Sequence, residues 1–335
     1  MSLLTSCQQR LNKRLWRADV KFARHFFIGT TPTQSWDTPV FSKGFMMQTH
    51  FEEISTRLFS PKLWRGFPAP TNMNPTGSSY QGPSGNPVFG FFDDFFSFHA
   101  ATLDGPYLTL VTDGGIVINQ IADTDERKGI VAIDSDATGA NDEGVIQWGR
   151  GRCAPFKLAN NDLCFEACLS VDVITADDYS IAIGLAEAAD GASAGLFAAA
   201  ANNVCALADT NFLGFVKLTP ETSDWDGAYK ANGQTYQDGA TKTKLNAVAK
   251  FTASGTTYKK LGFRYRAVPK SLEWYVDGNL AGTSSAPARL TASEIDAATF
   301  PDSVFLAPII GLKVAVAASV AIQINMDWWA CAQME

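Results

Sequence analysis

Histidine is almost absent from this sequence, which limits the chemistry that most of the chain can perform. The three histidines are His25, His50 and His99, and no histidine follows position 99. The long C-terminal part therefore cannot use a Ser-His-Asp or Cys-His mechanism or a zinc site built on histidine. The sequence also lacks a phosphate-binding Gly-rich motif, a dinucleotide-binding fingerprint and an H-E-x-x-H zinc motif.

Cysteine is too sparse to build a disulfide scaffold. The six cysteines are not arranged in C-x2-C pairs; they are Cys7, Cys153, Cys164, Cys168, Cys205 and Cys331. We expect reduced thiols in a protein made without a secretory step. The N-terminus agrees, because Leu3 and Leu4 do not form an apolar signal-peptide core and basic residues follow soon after them.

No long apolar run suggests a membrane-spanning helix. The most apolar stretch, 304–326, contains Pro308 and Lys313, and from Leu312 to Met326 its apolar residues alternate with polar or small ones. A period of two predicts one long half-buried strand here.

Charged residues are also few, at 18%, whereas the 23 Phe and 27 Gly residues are plentiful. This composition favours strands joined by tight turns over a helical bundle. The charge is distributed unevenly. Residues 1–67 hold 10 Lys/Arg and 4 Asp/Glu, a net charge of +6, and since the whole chain has a net charge of −7, the remaining residues carry −13. A basic N-terminal part and an acidic body suggest different partners for each, including a second copy of the body.

Residues 1–27 form the first predicted region, a basic amphipathic helix over 5–27. Its apolar stripe includes Leu11, Leu15, Phe22 and Phe26, with Trp16 as a further apolar side chain, and Arg17 belongs to a basic stripe beside it. Such a helix can lie on a membrane, contact nucleic acid or dock on an acidic protein surface. Docking on a protein is the interpretation we adopt.

Residues 28–90 form the second region, a long extended arm. Between Gly66 and Gly90 the sequence has five Gly and five Pro, a composition that prefers extended and turn conformations. Such an arm becomes ordered when it lies against its own body, a neighbouring copy or a larger assembly. Trp64 is a candidate apolar anchor within it.

Residues 91–335 form the third region, an antiparallel β-domain. Alternating runs at 165–173, 263–267 and 272–276 predict strands, and 268–271 predicts a hairpin connection between the last two. We place Phe263 and Trp274 in the core. Asp277-Gly278 predicts a tight turn, and Thr291 with Glu294 predicts a capping box that opens a short helix near 292–298.

Two polar segments of this domain have an alternative interpretation. The Asp-rich segment 134–143 resembles a calcium loop in composition, but its fifth position is Thr138 and it lacks the distal Glu, so we interpret it as a solvated loop. The composition also predicts a polar loop over 224–240; its Trp225, Tyr229 and Tyr236 are candidate glycan contacts, or else local loop anchors.

Three short motifs carry a family resemblance over 91–335. Phe91-Phe-Asp-Asp-Phe-Phe96, Leu272-Glu-Trp-Tyr-Val-Asp-Gly-Asn-Leu280 and Ile324-Asn-Met-Asp-Trp-Trp-Ala-Cys-Ala-Gln333 resemble the opening strand, a late hairpin and the closing strand of concanavalin A-like jelly rolls of the laminarinase and LamG type. The resemblance implies an all-β, antiparallel jelly-roll β-sandwich, here preceded by an N-terminal helix and a long extended arm.

That family contains hydrolases, carbohydrate-binding modules and virion proteins, and the three remain open as alternatives. Hydrolases of this kind carry E-x-D-x-x-E or E-x-D-x-E on one strand, and no such string occurs here, so we expect no enzyme activity. The resemblance to jelly rolls of tailed bacteriophages implies a non-enzymatic capsid decoration (cement) protein, located on the virion after assembly in the host cytoplasm. We expect the major capsid protein or other virion subunits as partners, a homo-oligomer, a glycan as an alternative ligand, and no membrane, nucleic acid, metal or cofactor.

Overall fold

The computed structural model describes two antiparallel β-sheets that pack face to face. The described residues are 59–67, 78–81, 87–95, 107–112, 115–121, 129–135, 139, 141–149, 154–172, 178–187, 195–198, 206–219, 224–250, 257–315 and 321–334. The predicted N-terminal helix, 5–27, lies outside them, as does much of the predicted arm.

The first sheet has ten strands and contains the strands nearest to both ends of the described chain. Its main path runs β1-β2-β17-β7-β12-β13-β14, while β5 pairs with β17 and β4, and β15 pairs with β13. Its strands are β1 (Ser78–Gln81), β2 (Pro87–Asp93), β4 (Ile116–Ile121), β5 (Ile130–Ser135), β7 (Asp162–Val171), β12 (Lys259–Arg266), β13 (Ser271–Val276), β14 (Asn279–Leu280), β15 (Arg289–Leu290) and β17 (Gln323–Met334).

The second sheet has seven strands in the order β11-β10-β9-β8-β16-β6-β3. Its strands are β3 (Tyr107–Thr112), β6 (Glu143–Trp148), β8 (Tyr179–Glu187), β9 (Phe212–Lys217), β10 (Asp224–Lys230), β11 (Ala249–Lys250) and β16 (Leu306–Val314). Alternate side chains from both sheets meet in one continuous core, which includes Phe165, Phe215 and Trp329. This arrangement is the two-sheet β-sandwich that the strand pattern predicted.

The predicted hairpin is confirmed, and so are the two core residues assigned to it. β12 and β13 pair antiparallel with Phe263 opposite Trp274 and Arg264 opposite Glu273. Phe263 and Trp274 are fully buried. A tight turn at Asp277 and Gly278 follows, with φ of 48° and 77°, a left-handed conformation that glycine adopts without steric cost.

The short helix α1 (Ala292–Ile295) begins as predicted. The Thr291 side chain accepts from the backbone N–H of Glu294, and the Glu294 carboxylate in turn accepts from the backbone N–H of Thr291. This reciprocal capping box satisfies backbone donors at the start of the helix. The helix ends at Ile295, earlier than the predicted 298.

The single half-buried strand predicted within 304–326 is wrong. The stretch belongs to two strands in different sheets, β16 and β17, and every residue of β16 is buried. The alternation is real, but a hairpin-like segment, 195–198 with 206–208, covers the outer face of this sheet and contacts Ile309. Sequence alternation alone cannot show that a distant segment covers the polar side.

A β-bulge in β17 places Met326 and Trp329, which are three residues apart, on the same face of the sheet. The pairing register between β17 and β7 shifts between Met326 and Trp328. Before the shift, Met326 lies in the core between the sheets. After it, Trp329 lies in that core and Trp328 on the outer face of the ten-stranded sheet.

The sandwich begins before residue 91, the predicted boundary. β2 starts at Pro87 and pairs with β1, so strands already form within the predicted arm. The Phe-Phe-Asp-Asp motif has a structural role at the end of β2. Asp93 accepts hydrogen bonds from the Tyr107 hydroxyl and, at 2.7 Å, from the backbone N–H of Phe95, which has a φ of 56°.

No helix among the described residues is long and apolar enough to cross a membrane.

Candidate functional site

Residues 59–67, which we call the strap, lie across the outer face of the ten-stranded sheet. Within the strap, the backbone N–H of Trp64 donates to the Ser60 carbonyl at 3.1 Å, and that of Phe67 donates to the Trp64 carbonyl at 2.9 Å. None of its described residues pairs with a strand of the sheet. The strap is therefore a compact set of turns attached to the sheet mainly by its side chains.

Glu166 is the centre of this attachment. It lies on β7 with its side chain on the outer face, and its residue is only 1% exposed. The carboxylate accepts from the Ser60 backbone N–H at 3.1 Å, from the Trp64 indole N–H at 2.7 Å and from the Ser60 hydroxyl. Three donors from the strap thus satisfy a carboxylate that would be costly to bury alone.

Burial raises the pKa of Glu166, and the hydrogen bonds from Ser60 and Trp64 oppose that rise. The positive charge of Lys260 on the neighbouring strand β12 acts in the same direction as those hydrogen bonds. The carboxyl is therefore held by the strap in an environment that favours its neutral form more than water does.

Further contacts shape the sheet surface to the strap. The Cys164 thiol donates to the Leu63 carbonyl at 3.2 Å, and the Arg264 guanidinium lies 5.8 Å from the centre of the Phe67 ring. A side chain at Gly262 would place its Cβ 2.4 Å from Leu63, so glycine is needed for this close approach. The outer face of the sheet is therefore complementary to the strap in both shape and hydrogen bonding.

The aromatic residues of the strap extend the contact toward β2 and β17. Phe59 packs edge to face against Trp328 at 4.8 Å and against Phe92 at 5.4 Å, measured between ring centres. It also packs against Trp64 within the strap, at 5.9 Å. These rings form a second, smaller apolar cluster outside the main core.

The sequence predicts Trp64 as an apolar anchor by which the arm binds a larger assembly. The structure places it at 6% exposure against its own chain's sheet, so its indole is occupied within the chain. The other predicted anchors lie outside the described residues; they are Leu11, Leu15, Trp16, Arg17, Phe22 and Phe26. Neither the strap nor Glu166 was identified from the sequence, because a single Glu in an alternating strand gives no sign of a covered outer face.

The outer face of the seven-stranded sheet carries a buried ion pair. Glu143 and Lys313 lie on the neighbouring strands β6 and β16, and the Lys313 Nζ is 3.3 Å from the Glu143 Oε2. The other oxygen of Glu143 accepts from the backbone N–H of Phe197 at 3.1 Å. Burial raises the pKa of Glu143, while Lys313 lowers it. The pair holds the covering segment at 195–198 in place.

Two acidic side chains described on this sheet, Glu143 and Asp226, are both engaged in contacts. On β6 the side chains of Glu143, Val145 and Gln147 share the outer face, so this strand offers one carboxylate, and Lys313 neutralises it. Asp226 on β10 accepts from the backbone N–H groups of Ala247 and Gly239, at 2.7 and 2.9 Å. Both acidic groups therefore hold local structure.

The glycan contacts predicted at 225, 229 and 236 need correction. Residues 224–230 form β10, a strand of the sandwich, whereas we had placed them in a polar loop. Trp225 and Tyr229 are 0% and 1% exposed and belong to the main core, where a ligand cannot reach them. Tyr236 is half-buried beside the apolar residues under the covering segment. The loop was predicted because polar residues and a glycine, Asp226, Gly227 and Lys230, interrupt the apolar residues of this strand.

A cleft of about 540 Å³ lies where several loops meet at one end of the sandwich. Asn211 organises its wall, because its amide donates to the Glu187 carboxylate at 2.7 Å and its oxygen accepts from the backbone N–H of Asn232 at 2.9 Å. Gln234 and Asp302 also line the cleft. Amides and carboxylates in a concave surface suit a ligand rich in hydroxyl groups.

The described residues contain no group of three or more His, Cys, Asp or Glu side chains arranged to hold a metal ion. Of the segment with calcium-like composition, Asp134 lies in β5, Asp142 is buried and Glu143 forms the ion pair above. Several positions between them lie outside the described residues.

The sequence matches no protein-family model and no curated protein. A solved protein of unknown function from Shewanella oneidensis MR-1 is similar in structure, with a TM-score of 0.47 and 15% identity over 91% of this chain and 97% of that one. Peanut lectin has a TM-score of 0.45 and 12% identity over 73% of this chain and 97% of the lectin. An endo-1,3-beta-glucanase from Streptomyces sioyaensis has a TM-score of 0.42 and 13% identity over 73% of this chain and 95% of the glucanase. Similarity of this size does not identify a ligand or an activity.

Proposed function

We propose that this protein is a non-enzymatic structural protein whose sandwich is attached to a larger assembly by the residues that precede the strap. The observation that carries the proposal is the docking of the strap on Glu166. It fixes the chain at Ser60 and Trp64, so a force or a partner that acts on residues 1–58 acts on the sandwich. The basic character of the N-terminal part favours an acidic partner surface.

The engagement of the acidic side chains supports a role without catalysis. Retaining and inverting glycosidases need two carboxyl groups on either side of a bond, one of them able to donate a proton. Glu143 and Asp226 are instead committed to Lys313 and to backbone N–H groups. The finer hypothesis, a decoration protein on a bacteriophage capsid, rests on the sequence resemblance of the three motifs.

One deletion tests the attachment. Removing residues 1–58 keeps the strap, and we expect a folded protein that no longer joins particles isolated from the producing culture, as measured by immunogold labelling. The full chain, carried through the same preparation, is the control. If the shortened chain labels particles as densely as the full chain, the attachment lies in the sandwich and the proposal is wrong.

A second candidate function, glycan binding, is favoured by the cleft beside Asn211. Its lining of amide and carboxylate groups is the chemistry that recognises sugar hydroxyls, and the lectin similarity is compatible with it. Calorimetric titration with a panel of polysaccharides tests it. Binding that is lost in Gln234→Ala and retained in Asn279→Ala, a control on the strap side of the sandwich, would establish the cleft as the site.

A further inference from the structure

We propose that the face under the strap is a peptide-binding site that also accepts the strap of a second copy of this chain, so that two copies can be joined by exchange of residues 59–67. This inference goes beyond the proposed attachment role, because it adds a link between two copies that is made by the strap itself. We call the sheet surface around Glu166 the receptor face; it is formed by Cys164, Glu166, Gly262, Arg264, Trp328 and Ala330.

The first argument is that the strap can leave without breaking the sheet. The strands beneath it, β2, β17, β7, β12 and β13, are hydrogen-bonded to each other in a continuous order. The strap's backbone N–H groups at Trp64 and Phe67 bond to carbonyls within the strap itself. Release therefore breaks side-chain contacts, the bonds to Glu166, and the bonds that the Leu63 and Lys62 carbonyls accept from Cys164 and Arg264. It breaks no strand pairing of the sheet.

The second argument is that the receptor face is specific to this segment. It combines an acceptor for three donors at Glu166, a thiol donor for the Leu63 carbonyl, and a glycine, Gly262, that leaves room for Leu63. Arg264 approaches the Phe67 ring from the other side. An empty receptor face would expose the apolar side chains of Trp328 and Ala330 to water, and this exposure is unfavourable.

The third argument is the length of chain available. Residues 68–77 connect the strap to β1, and an extended chain rises about 3.3 Å per residue, so this connection can span roughly 30 Å. That distance is comparable with the width of a small domain. Exchange of an identical segment between copies uses the contacts that already exist within one copy, so it needs no new interface.

Cys164 provides a direct measurement of whether the receptor face is occupied. Its thiol is fully buried under Leu63, whereas Cys331 is buried on the opposite side of the sheet, in the core between the sheets. A thiol reagent followed by peptide mass spectrometry reads each cysteine separately. Labelling of Cys164 without Cys331 reports an empty receptor face in a folded sandwich.

The experiment uses two full-length variants in which docking of the chain's own strap is weakened. The acceptor chain carries Ser60→Ala and Trp64→Ala, so its receptor face is intact but its strap is defective. The donor chain carries Glu166→Ala and Cys164→Ser, so its strap is intact, its receptor face is defective and it contributes no signal at position 164. In both chains the intramolecular docking that competes with exchange is weakened.

We expect Cys164 of the acceptor chain to label at least about tenfold faster than in the unmodified chain, since docking loses its central hydrogen bonds and the indole. Adding the donor chain should slow this labelling in proportion to its concentration. The donor with Trp64→Ala added is the matched control and should give no protection. If Cys331 of the acceptor also labels, the milder Trp64→Phe acceptor replaces it in the same comparison.

Two results would overturn the inference. If the acceptor's Cys164 labels no faster than in the unmodified chain, the strap is not a separable ligand of the receptor face. If the donor gives no protection at any concentration tested, docking occurs only within one chain. The readout involves no particle, so a chain that exchanges straps but fails to join an assembly contradicts only the proposed attachment role.

Discussion

The contact between Gly227 and Trp274 offers a quantitative test of the core. The Trp274 indole crosses from the ten-stranded sheet to the other, where its N–H donates to the Gly214 carbonyl at 2.9 Å. A Cβ placed on Gly227 would lie 3.1 Å from the indole Cε2, closer than comfortable packing allows. We expect Gly227→Ala to destabilise the fold by about 1–2 kcal/mol through overpacking.

The same reasoning predicts a coupling between the two positions. Trp274→Ala alone should cost about 3–5 kcal/mol, because it removes a fully buried indole and its hydrogen bond. In that background the added methyl of Gly227→Ala meets a cavity, so its cost should vanish or become a gain. Urea unfolding of the four proteins measures the coupling as the departure from additivity.

A control at Gly233 separates crowding from backbone strain. Gly233 has a φ of 72°, and a Cβ added there would meet open space. Gly233→Ala therefore strains the backbone without crowding, and it should lower the free energy of unfolding by the same amount with or without Trp274. Equal costs for Gly227→Ala in both backgrounds would refute the packing argument. A loss below about 1 kcal/mol for Trp274→Ala would show that the strand register is wrong.

Three further predictions concern buried charge. Burial raises the pKa of Glu166 in the folded state, so the contribution of Glu166 to stability is largest in acid and is lost as the pH rises above about 4.5. The free energy of unfolding, measured from pH 4 to 7, should therefore fall less steeply in Glu166→Gln than in the unmodified chain. Lys313→Met should lower the free energy of unfolding by about 3–5 kcal/mol at pH 7, because it leaves Glu143 buried without its cation. Adding Glu143→Gln should restore much of this loss, as measured by urea unfolding. Burial acts to raise the pKa of Glu294, but the hydrogen bonds from Lys244 and Thr291 and the positive charge of Lys244 together outweigh it, and the pKa is lowered to about 2. The stability advantage over Glu294→Gln should therefore be constant above about pH 5 and disappear as the pH falls to about 2, as followed by thermal unfolding.

Parts of the fold with a local signal could be predicted from the sequence. The β12–β13 hairpin is encoded by clean alternation on both sides of a four-residue connection, and the start of α1 by Thr291 and Glu294. In these cases the residues that decide the structure are close together in the chain. The position of Trp274 followed from its apolar neighbours on the same side of the strand.

Other parts depend on contacts between distant residues and could not be predicted in the same way. Asp226 makes β10 look like a loop, but it is buried because backbone N–H groups from residues 239 and 247 reach it. Glu166 is buried because residues more than a hundred positions earlier cover it. The candidate site was missed for this reason, since its two halves are separated by most of the first half of the chain.

The central place of β17 in the ten-stranded sheet sets an order of events during synthesis. β17 lies between β2 and β7, so both of these strands must wait for it, although they emerge from the ribosome much earlier. The receptor face is also incomplete until Trp328 and Ala330 have been made. The strap, which is translated before any described strand, is therefore among the last elements that can dock, and it stays undocked until the C-terminal strand has been made.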